Sequence, residues 1–192
     1  TMTSVVAQTE RLILRQFHPG DLDALTEVLG DADVMTFSVT GPLARAQVQE
    51  KIQSYGAHWS RWGYGLCAVV HRCDDKVIGY CGLQHFDDIG GRQEIEVGYR
   101  LNRQYWGCGY GSEAAGAIVE FGFVALGLER MISMIDPRNL RSIRVAEKIG
   151  LHYEKDADCG GYVDRIYVIQ QPARPELTQG SEPNGGATPP SG

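Results

Sequence analysis

A glycine-rich stretch is the part of the sequence whose residue types and spacing most directly suggest chemistry. Trp106-Gly-Cys-Gly-Tyr-Gly-Ser112 places glycines at alternate positions, immediately before a segment with helical periodicity. Glycine lets the main chain approach a ligand closely and adopt positive φ, so successive N–H groups can converge on an anion at a helix N-terminus. This pattern suits a pyrophosphate, and the alternative is a tight turn that needs glycine for packing.

Two common phosphate-binding motifs are excluded for this stretch. No Gly-Lys-Ser/Thr follows it, so it is not a P-loop. A dinucleotide fingerprint beginning at Gly107 would require glycine at position 112, where Ser112 stands.

A strand must lead into this loop and a helix must follow it. Glu94-Ile-Glu-Val-Gly-Tyr-Arg-Leu101 alternates strictly, with Ile, Val, Tyr and Leu on one face and Glu, Glu, Gly and Arg on the other. After the loop, apolar residues at helical spacing predict a helix from about Ser112 to Leu126. The loop is therefore predicted to connect a half-buried strand to a helix N-terminus.

The remaining segments alternate between short strands and longer helices. The predicted order is a strand at 11–15, helices at 21–30 and 42–59, strands at 66–71, 77–84 and 94–101, the helix at 112–126, a strand at 130–136, a helix at 140–149, and a closing hairpin of strands 153–156 and 164–169. This order predicts a mixed α/β (α+β) fold, with a mostly antiparallel sheet flanked by helices, and not a regularly alternating Rossmann domain.

Composition indicates one ordinary globular domain with a tail. The chain has 192 residues, a formal charge of −6 and 43% hydrophobic residues. Residues 171–192 contain five Pro and four Gly among 22 residues, which predicts a disordered tail and leaves residues 1–170 as the domain. The acidic balance disfavours nonspecific nucleic-acid binding, which needs clustered Lys and Arg.

The cellular location is predicted from the apolar runs and the cysteines. No apolar run approaches the roughly 18 residues of a membrane span, and the first residues do not resemble a secretory signal, so we expect no membrane association. The five cysteines form no Cys-x-x-Cys pair, and an odd number leaves at least one thiol free. We therefore expect a cytoplasmic protein without a metal site.

The order and spacing of five stretches resemble the GNAT superfamily of acyl-CoA-dependent N-acetyltransferases, specifically its RimJ/RimL-like branch. The stretches are Thr9-Glu-Arg-Leu-Ile-Leu-Arg15, Ile78-Gly-Tyr-Cys-Gly-Leu83, Glu96-Val-Gly-Tyr99, Tyr105-Trp-Gly-Cys-Gly-Tyr-Gly-Ser-Glu-Ala114, and Asp136-Pro-Arg-Asn139 through Ser142 to Glu147-Lys-Ile-Gly150. Together they extend the resemblance over roughly residues 9 to 170.

The resemblance implies a set of cofactor-binding residues. The family's pyrophosphate loop falls on Trp106 to Gly111, where Trp106 departs from the usual Gln or Arg. Main-chain groups from Tyr99 to Leu101 would bind the pantetheine arm, and Asn139 and Ser142 would lie beside it. The implied cofactor-binding residues are Tyr99, Leu101, Trp106, Gly107, Cys108, Gly109, Tyr110, Gly111, Ser112, Asn139 and Ser142. For Asn139 and Ser142, the alternative role is helix capping.

The resemblance also implies the catalytic residues. An amine attacks only when it is neutral, so a base must take its proton, and Glu96 is the best-placed carboxylate. The alternatives for Glu96 are a structural ion pair with Arg100 or an exposed charge on the face of the strand. Ser142 is the candidate acid for the departing thiolate, because Ala146 stands where many GNAT enzymes carry a tyrosine.

Other residues could also take catalytic roles. Glu94, Asp156, Asp158, Asp164 and His85 are further candidates for the base. Cys108, at a predicted helix N-terminus, makes a covalent acetyl-cysteine route conceivable, although the family transfers acetyl directly in a ternary complex.

The predicted function is transfer of acetyl from acetyl-CoA to a primary amine. The acceptor could be a protein N-terminal α-amine or a small molecule such as a polyamine, an amino acid or an aminoglycoside. A homodimer is suggested by family habit alone. The alternative is a noncatalytic acyl-CoA-binding sensor or interaction module, which would bind the cofactor without turnover.

Overall fold

The structure, a computed structural model, describes residues 4–171. The predicted tail at 171–192 lies outside the described residues, apart from Gln171. The main-chain N–H of Gln171 donates to the carbonyl of Glu129 at 2.9 Å, so the last strand reaches the end of the described chain.

Eight strands and four α-helices form the described chain. The strands are β1 (Val5–Gln8), β2 (Leu12–Arg15), β3 (Leu66–His71), β4 (Lys76–Phe86), β5 (Glu94–Leu101), β6 (Arg130–Ile135), β7 (His152–Asp158) and β8 (Val163–Gln170). The helices are α1 (Leu22–Leu29), α2 (Arg45–Trp62), α3 (Tyr110–Val124) and α4 (Leu140–Lys148). In the sheet the strands lie in the order β1-β2-β3-β4-β5-β6-β8-β7, and only β5 and β6 pair in parallel. The predicted mixed, mostly antiparallel sheet is confirmed.

Helices cover both faces of this sheet because its inner strands carry apolar side chains on both sides; β3, for example, is buried at every position from Leu66 to His71. On one face, α3 and α4 bury residues such as Ile118 and Ala146 against Leu14 and Val97. On the other face, α1 and α2 form a separate cluster with Leu66, which includes Leu25, Val28 and Val48. The site described below lies between these two layers, where the sheet opens.

The main differences from the sequence prediction are one strand and two helix starts, beside shifts of one to three residues at other element ends. The edge strand β1 was not predicted, because its four residues are too short for a clear alternation and only the pairing with β2 holds them extended. Helix α2 begins at Arg45 and not at Pro42, since Gln47 accepts a hydrogen bond from the Ala44 N–H at 2.8 Å and defines the start. Helix α3 begins two residues earlier than predicted, inside the glycine loop.

Candidate active site

The candidate site begins at the gap between the parallel strands β5 and β6. Glu96 and Ile132 form the one residue pair of this ladder. One residue further on, the hydroxyl of Ser133 donates to the carbonyl of Val97 at 2.8 Å. Beyond this point both strands continue without pairing, and a cavity of about 220 Å³ opens between them. The sheet therefore contains a slot beside the strand that leads to the glycine loop.

Glu96 lines this first cavity and is positioned from the opposite strand. Its Oε1 accepts a hydrogen bond from the Met134 N–H at 3.3 Å. Burial raises the pKa of Glu96 to about 7; the nearby charge of Asp164 also raises it, while the Met134 hydrogen bond and Arg100 act in the opposite direction. A carboxylate that titrates near neutral pH can both take up and release a proton.

Arg100 lines the same cavity but forms no hydrogen bond with Glu96 in the described structure. Its guanidinium donates to the Tyr80 hydroxyl at 3.0 Å and to the Val34 carbonyl at 3.1 Å. The ion pair considered for Glu96 from the sequence is therefore absent from the described contacts, and the Glu96 carboxylate faces the cavity.

Two further carboxylates lie in the wall of the first cavity. Asp136 is bound by Arg138, whose Nη2 lies 2.7 Å from Oδ2. Asp164 forms no ion pair within residues 4–171; its pKa is raised, first by burial and then by the charge of Asp136. Glu96 and Asp164 together make this cavity suitable for a cationic group.

The glycine loop turns sharply before α3. Gly107 and Gly109 have φ of 77° and 84°, values that side-chain-bearing residues rarely adopt. Helix α3 begins at Tyr110, so Gly111 and Ser112 lie in its first turn. The N–H groups of a first turn have no acceptor within their own helix, so these amides can bind an anion.

Side chains on both sides of the loop hold it in place. The indole N–H of Trp106 donates to the carbonyl of Leu101 at 2.9 Å. Arg11 donates to the carbonyl of Cys108 at 3.0 Å and forms a 2.6 Å ion pair with Glu113 of α3. The loop conformation is therefore fixed by the protein itself.

Tyr99 connects the loop to α4. A Cβ atom added at Gly111 would lie 3.0 Å from Cε2 of Tyr99, so the ring packs directly on the first turn of α3. Burial raises the pKa of Tyr99, and the nearby side chain of Ser142 acts in the opposite direction. The Tyr99 phenol is therefore neutral and lies beside the candidate acid.

Asn139 and Ser142 take up the capping arrangement that the sequence allowed as an alternative. The Oδ1 of Asn139 accepts a hydrogen bond from the Ser142 N–H at 3.2 Å and caps α4. This bond uses neither the Asn139 amide N–H₂ nor the Ser142 hydroxyl, so both groups can make other contacts. The cap therefore uses the Asn139 Oδ1 and the Ser142 main-chain N–H. It also holds the Asn139 amide N–H₂ and the Ser142 hydroxyl in fixed positions.

A second cavity of about 340 Å³ extends from the glycine loop to α4. It shares its lining with the first cavity at Phe37, Tyr99, Arg100, Asn139, Ser142 and Val145. A ligand in the second cavity can therefore reach the Glu96 side of the sheet through the slot between β5 and β6.

Comparison with known families agrees with this architecture. The model of the acetyltransferase (GNAT) domain matches residues 11–152, which is well over half of the chain. The chain belongs to the GNAT acetyltransferase family. The GNAT fold predicted from the sequence is confirmed.

Similar proteins occur in Bacillus. The chain is 35% identical over 148 residues to the uncharacterized protein YkkB of Bacillus subtilis, covering 77% of this chain and 85% of the relative. It is 31% identical over 147 residues to the uncharacterized N-acetyltransferase p20 of Bacillus licheniformis, covering 76% and 82%.

Solved GNAT structures superpose on most of the chain. A GNAT-family acetyltransferase from Bacillus anthracis aligns with a TM-score of 0.74 and 28% identity, covering 88% of this chain and 98% of that one. RimL, a ribosomal L7/L12 alpha-N-protein acetyltransferase in complex with coenzyme A, aligns with a TM-score of 0.72 at 16% identity, covering 87% and 98%. At that identity the RimL match indicates the shared fold.

The positions of the predicted GNAT site residues can be read from the two cavities. Every predicted cofactor-binding residue except Cys108 lines the second cavity, and both predicted catalytic residues, Glu96 and Ser142, line the first. The Cys108 side chain is exposed, and its thiol lies 3.7 Å from the carbonyl of Trp106. Cys108 can contribute its main chain to the loop, but its thiol does not line either cavity.

The other candidate bases are mostly occupied elsewhere. Glu94 is 4% exposed and forms ion pairs with Arg130 at 2.9 Å and Arg92 at 3.2 Å, which is a structural role. His85 stacks on Trp62 with ring centroids 3.8 Å apart and lines neither cavity. Asp156 and Asp158 line neither cavity as well, so Asp164 is the one further candidate that the structure brings to Glu96.

Sequence reasoning missed several charged residues of the site. Arg141, Arg144 and Lys148 line the second cavity, and nothing in their spacing alone distinguished them from a solvated helix face. The one available signal was their place on the helix that the predicted Asn139 caps.

Metal ligands and membrane spans are both missing from residues 4–171. No group of three or more His, Cys, Asp or Glu side chains is arranged to hold a metal ion there. No helix in that range has the length and hydrophobicity needed to cross a bilayer.

Proposed function

We propose that this GNAT protein transfers the acetyl group of acetyl-CoA to a primary amine by direct transfer in a ternary complex. The observation that carries this proposal is the meeting of two oppositely charged cavities at Tyr99, Asn139 and Ser142. The second cavity has the glycine-loop amides and basic side chains that suit a phosphate-rich cosubstrate. The first has the carboxylates that suit an amine.

Glu96 is proposed to take the proton of the amine. A primary amine is mostly protonated at neutral pH, and only its neutral form has the electron pair that attacks the acetyl carbonyl. Because the pKa of Glu96 is raised to about 7, its carboxylate is basic enough to accept that proton, directly or through one water. The amine nitrogen then forms the new C–N bond as the C–S bond breaks.

Ser142 is proposed to stabilise the thiolate that leaves. Its hydroxyl lines both cavities, where the cosubstrate's sulfur would lie, and can donate a hydrogen bond or a proton. Main-chain N–H groups of β5 that lack a partner on β6 would polarise the acetyl carbonyl. The nitrogen loses a second proton as the amide forms, and this proton passes through the Ser142 hydroxyl to the thiolate. The products are therefore the amide, free CoA thiol and the proton held by Glu96.

The acceptor class is proposed from the first cavity and from two relatives. RimL acts on a ribosomal protein α-amine, and a spermidine N(1)-acetyltransferase of Escherichia coli is 26% identical over 85 residues, 44% of this chain. We therefore propose both protein N-terminal α-amines and small cationic amines as acceptor classes. The RimJ/RimL-like branch, a homodimer and the cytoplasmic location stay predictions.

A thiol-release assay tests this function. The full chain is incubated with acetyl-CoA and a panel of peptides, polyamines, amino acids and aminoglycosides, and CoA thiol is measured with and without acceptor. Turnover that requires an acceptor, with mass-spectrometric detection of the acetylated amine, supports the proposal. Acetyl-CoA binding in calorimetry without turnover on any amine would favour the sensor alternative, and absence of binding would reject both.

A further inference from the structure

A buried histidine contacts the first residue of α3. His71 is the last residue of β3 and is only 9% exposed. Its Nε2 lies 2.8 Å from the hydroxyl oxygen of Tyr110, and the two rings meet edge to face with centroids 5.1 Å apart. Its Nδ1 lies 2.9 Å from Oδ2 of Asp74, and no other polar group within residues 4–171 forms a hydrogen bond with it. The histidine therefore joins the sheet to the N-terminus of α3.

The neighbours of His71 determine which of its nitrogens accepts a hydrogen bond. A carboxylate beside Nδ1 favours the proton on that nitrogen, which leaves Nε2 as the acceptor for the Tyr110 hydroxyl. The Asp74 carboxylate is itself held by the hydroxyl of Tyr105, which donates to Oδ2 at 3.0 Å. A continuous chain of polar groups thus runs from Tyr105, in the segment after β5, through the turn between β3 and β4 to α3.

Tyr110 is the point at which the glycine loop becomes a helix. Gly111 and Ser112 follow it directly, and their N–H groups have no acceptor within α3. Gly109, the residue before the helix, has a φ of 84° and no side chain that could cap it. Glycine has the widest choice of main-chain conformations, so the loop does not fix its own geometry. The position of the Tyr110 side chain therefore determines where the first-turn amides lie.

Tyr110 has two polar side-chain partners in the described structure, and His71 is the more buried of them. The guanidinium of Arg11 lies 4.4 Å from the centroid of the Tyr110 ring, and the Arg11 side chain is 40% exposed. A cation–π contact at an exposed site is weak. The hydrogen bond to His71 is mostly shielded from water, so loss of one partner would leave the other buried and unpaired. The stronger restraint on Tyr110 therefore comes from His71.

We infer that His71 is a positioning residue of the acetyl-transfer reaction: its hydrogen bond to Tyr110 holds the first turn of α3 in the anion-binding conformation before the ligand arrives. This inference rests on the proposed function, since it assumes that the first-turn amides bind the pyrophosphate of acetyl-CoA. His71 lines neither cavity and so acts only through Tyr110. A site that is already ordered loses less conformational entropy on binding, so the hydrogen bond should contribute to cosubstrate affinity and not to kcat.

Calorimetric titration of the full chain with acetyl-CoA, together with amide hydrogen exchange of the ligand-free chain, tests this inference. His71→Phe keeps a ring and removes the acceptor, whereas Tyr110→Phe removes only the hydroxyl. Each variant should bind acetyl-CoA about three- to tenfold more weakly, which is the effect of one hydrogen bond, and the double variant should lose no more than either single variant. The amides from Gly107 to Ser112 should exchange faster in all three variants.

A conservative variant and a turnover measurement separate positioning from a structural role. In His71→Gln the side-chain amide can still accept a hydrogen bond from Tyr110, so the affinity for acetyl-CoA should stay within about twofold of wild type. With an acceptor identified by the thiol-release assay, His71→Phe should raise KM for acetyl-CoA and keep kcat within about twofold of wild type.

Tyr64→Phe is the matched control. The hydroxyl of Tyr64 lies 3.3 Å from Nδ1 of His85, and this second histidine–tyrosine pair lines neither cavity. The control variant should lower the melting temperature, as Tyr110→Phe does, because both variants leave a histidine nitrogen without its partner. It should leave the affinity for acetyl-CoA and the exchange of the glycine-loop amides unchanged.

The possible outcomes distinguish the inference from the proposed function. Wild-type affinity and wild-type loop exchange in both His71→Phe and Tyr110→Phe would overturn the inference and leave the proposed function intact. An equal loss of affinity in Tyr64→Phe would also overturn it, because the effect would then reflect general stability. A wild-type chain that does not bind acetyl-CoA would overturn the proposed function, and the inference with it. If His71→Phe does not fold, Tyr110→Phe alone decides, since it keeps the whole ring.

Discussion

The carboxylate of Glu96 accepts a hydrogen bond from the main-chain N–H of Met134 at 3.3 Å, across the gap between β5 and β6. In a continuous parallel ladder that N–H would face a carbonyl of the neighbouring strand. Here the strands have separated, and a side chain takes the place of the main-chain acceptor. The break in the sheet and the position of the proposed base therefore have one structural origin.

Replacing Glu96 by Gln should lower turnover and change its pH dependence. The amide oxygen of the introduced side chain could still accept the Met134 hydrogen bond but could not take a proton, so kcat should fall by about a hundredfold or more. Wild-type kcat/KM should rise with pH through an inflection near 7, the pKa of Glu96 in the free protein, and the variant should lack that inflection. Steady-state assays from about pH 5.5 to 9 measure this. An unchanged profile would exclude Glu96 as the base.

The same substitution should stabilise the fold at high pH. Burial raises the pKa of Glu96 from 4.5 to about 7, so the folded state holds this proton more tightly than the unfolded chain. Stability from this group is complete below pH 4.5 and is lost as the pH rises to 7. Glu96→Gln should therefore raise the melting temperature at about pH 8 and change it little at about pH 4. An identical shift at both pH values would contradict this assignment.

Ser142→Ala should reduce kcat by about a hundredfold with little change in the affinity for acetyl-CoA. The substitution keeps the main-chain N–H that Asn139 caps, so α4 should remain folded. Single-turnover kinetics and calorimetry separate the two effects. Ser60→Ala, in which an exposed hydroxyl on α2 is removed, serves as the control. Near-normal turnover of the Ser142 variant would remove this residue from the mechanism.

Two glycines of α3 should respond differently to alanine. At Gly116 an added Cβ meets Ile149 at an ordinary 3.9 Å, so Gly116→Ala should stabilise the protein by about 0.5–1 kcal/mol. At Gly111 it would meet the Tyr99 ring at 3.0 Å and push it into the cavity. Gly111→Ala should gain no stability and should weaken acetyl-CoA binding about tenfold. Thermal unfolding and calorimetry compare the pair, and equal responses would argue against the Tyr99 contact.

Glu94 should contribute to stability and not to catalysis. It is 4% exposed and accepts hydrogen bonds from Arg130, so Glu94→Ala should cost about 2 kcal/mol of unfolding free energy. Arg130 also pairs with Glu154, whose side chain is 35% exposed. Because this second pair is more exposed to solvent, Glu154→Ala should lower the unfolding free energy by less than about 1 kcal/mol. Urea denaturation measures both. A larger loss for the Glu154 variant would reverse this ranking.

Local sequence patterns predicted most elements and the glycine loop before α3. Strict alternation defined β5, and the glycines at 107, 109 and 111 indicated a strand-to-helix connection that the structure contains. The missed strand β1 carries four residues without a pattern of its own, since its extended conformation comes from pairing with β2. Short edge strands depend on partners that are distant in sequence, and local patterns do not reveal those partners.

The roles of similar carboxylates could not be separated by local pattern. Glu94 and Glu96 lie two residues apart on one face of β5, and periodicity treats them alike. In the structure Glu94 forms an ion pair with Arg130. Glu96 instead accepts a hydrogen bond from the Met134 N–H and lines the first cavity. Asp164 joins Glu96 only because β8 lies beside β6 in the sheet.

The sequence by itself therefore determined the fold class, through short-range periodicity, and the family, through the order and spacing of five short stretches. Glycine at fixed spacing located the loop before α3, whose anion binding stays a prediction. Tertiary structure decided which charges are paired and which face a cavity. The tertiary structure placed Glu96 and Asp164 in the wall of the first cavity, and Arg144 and Lys148 in the wall of the second. The reason is physical: a charged group's role depends on burial and on its partners, and strand order and helix packing bring those partners from distant parts of the chain.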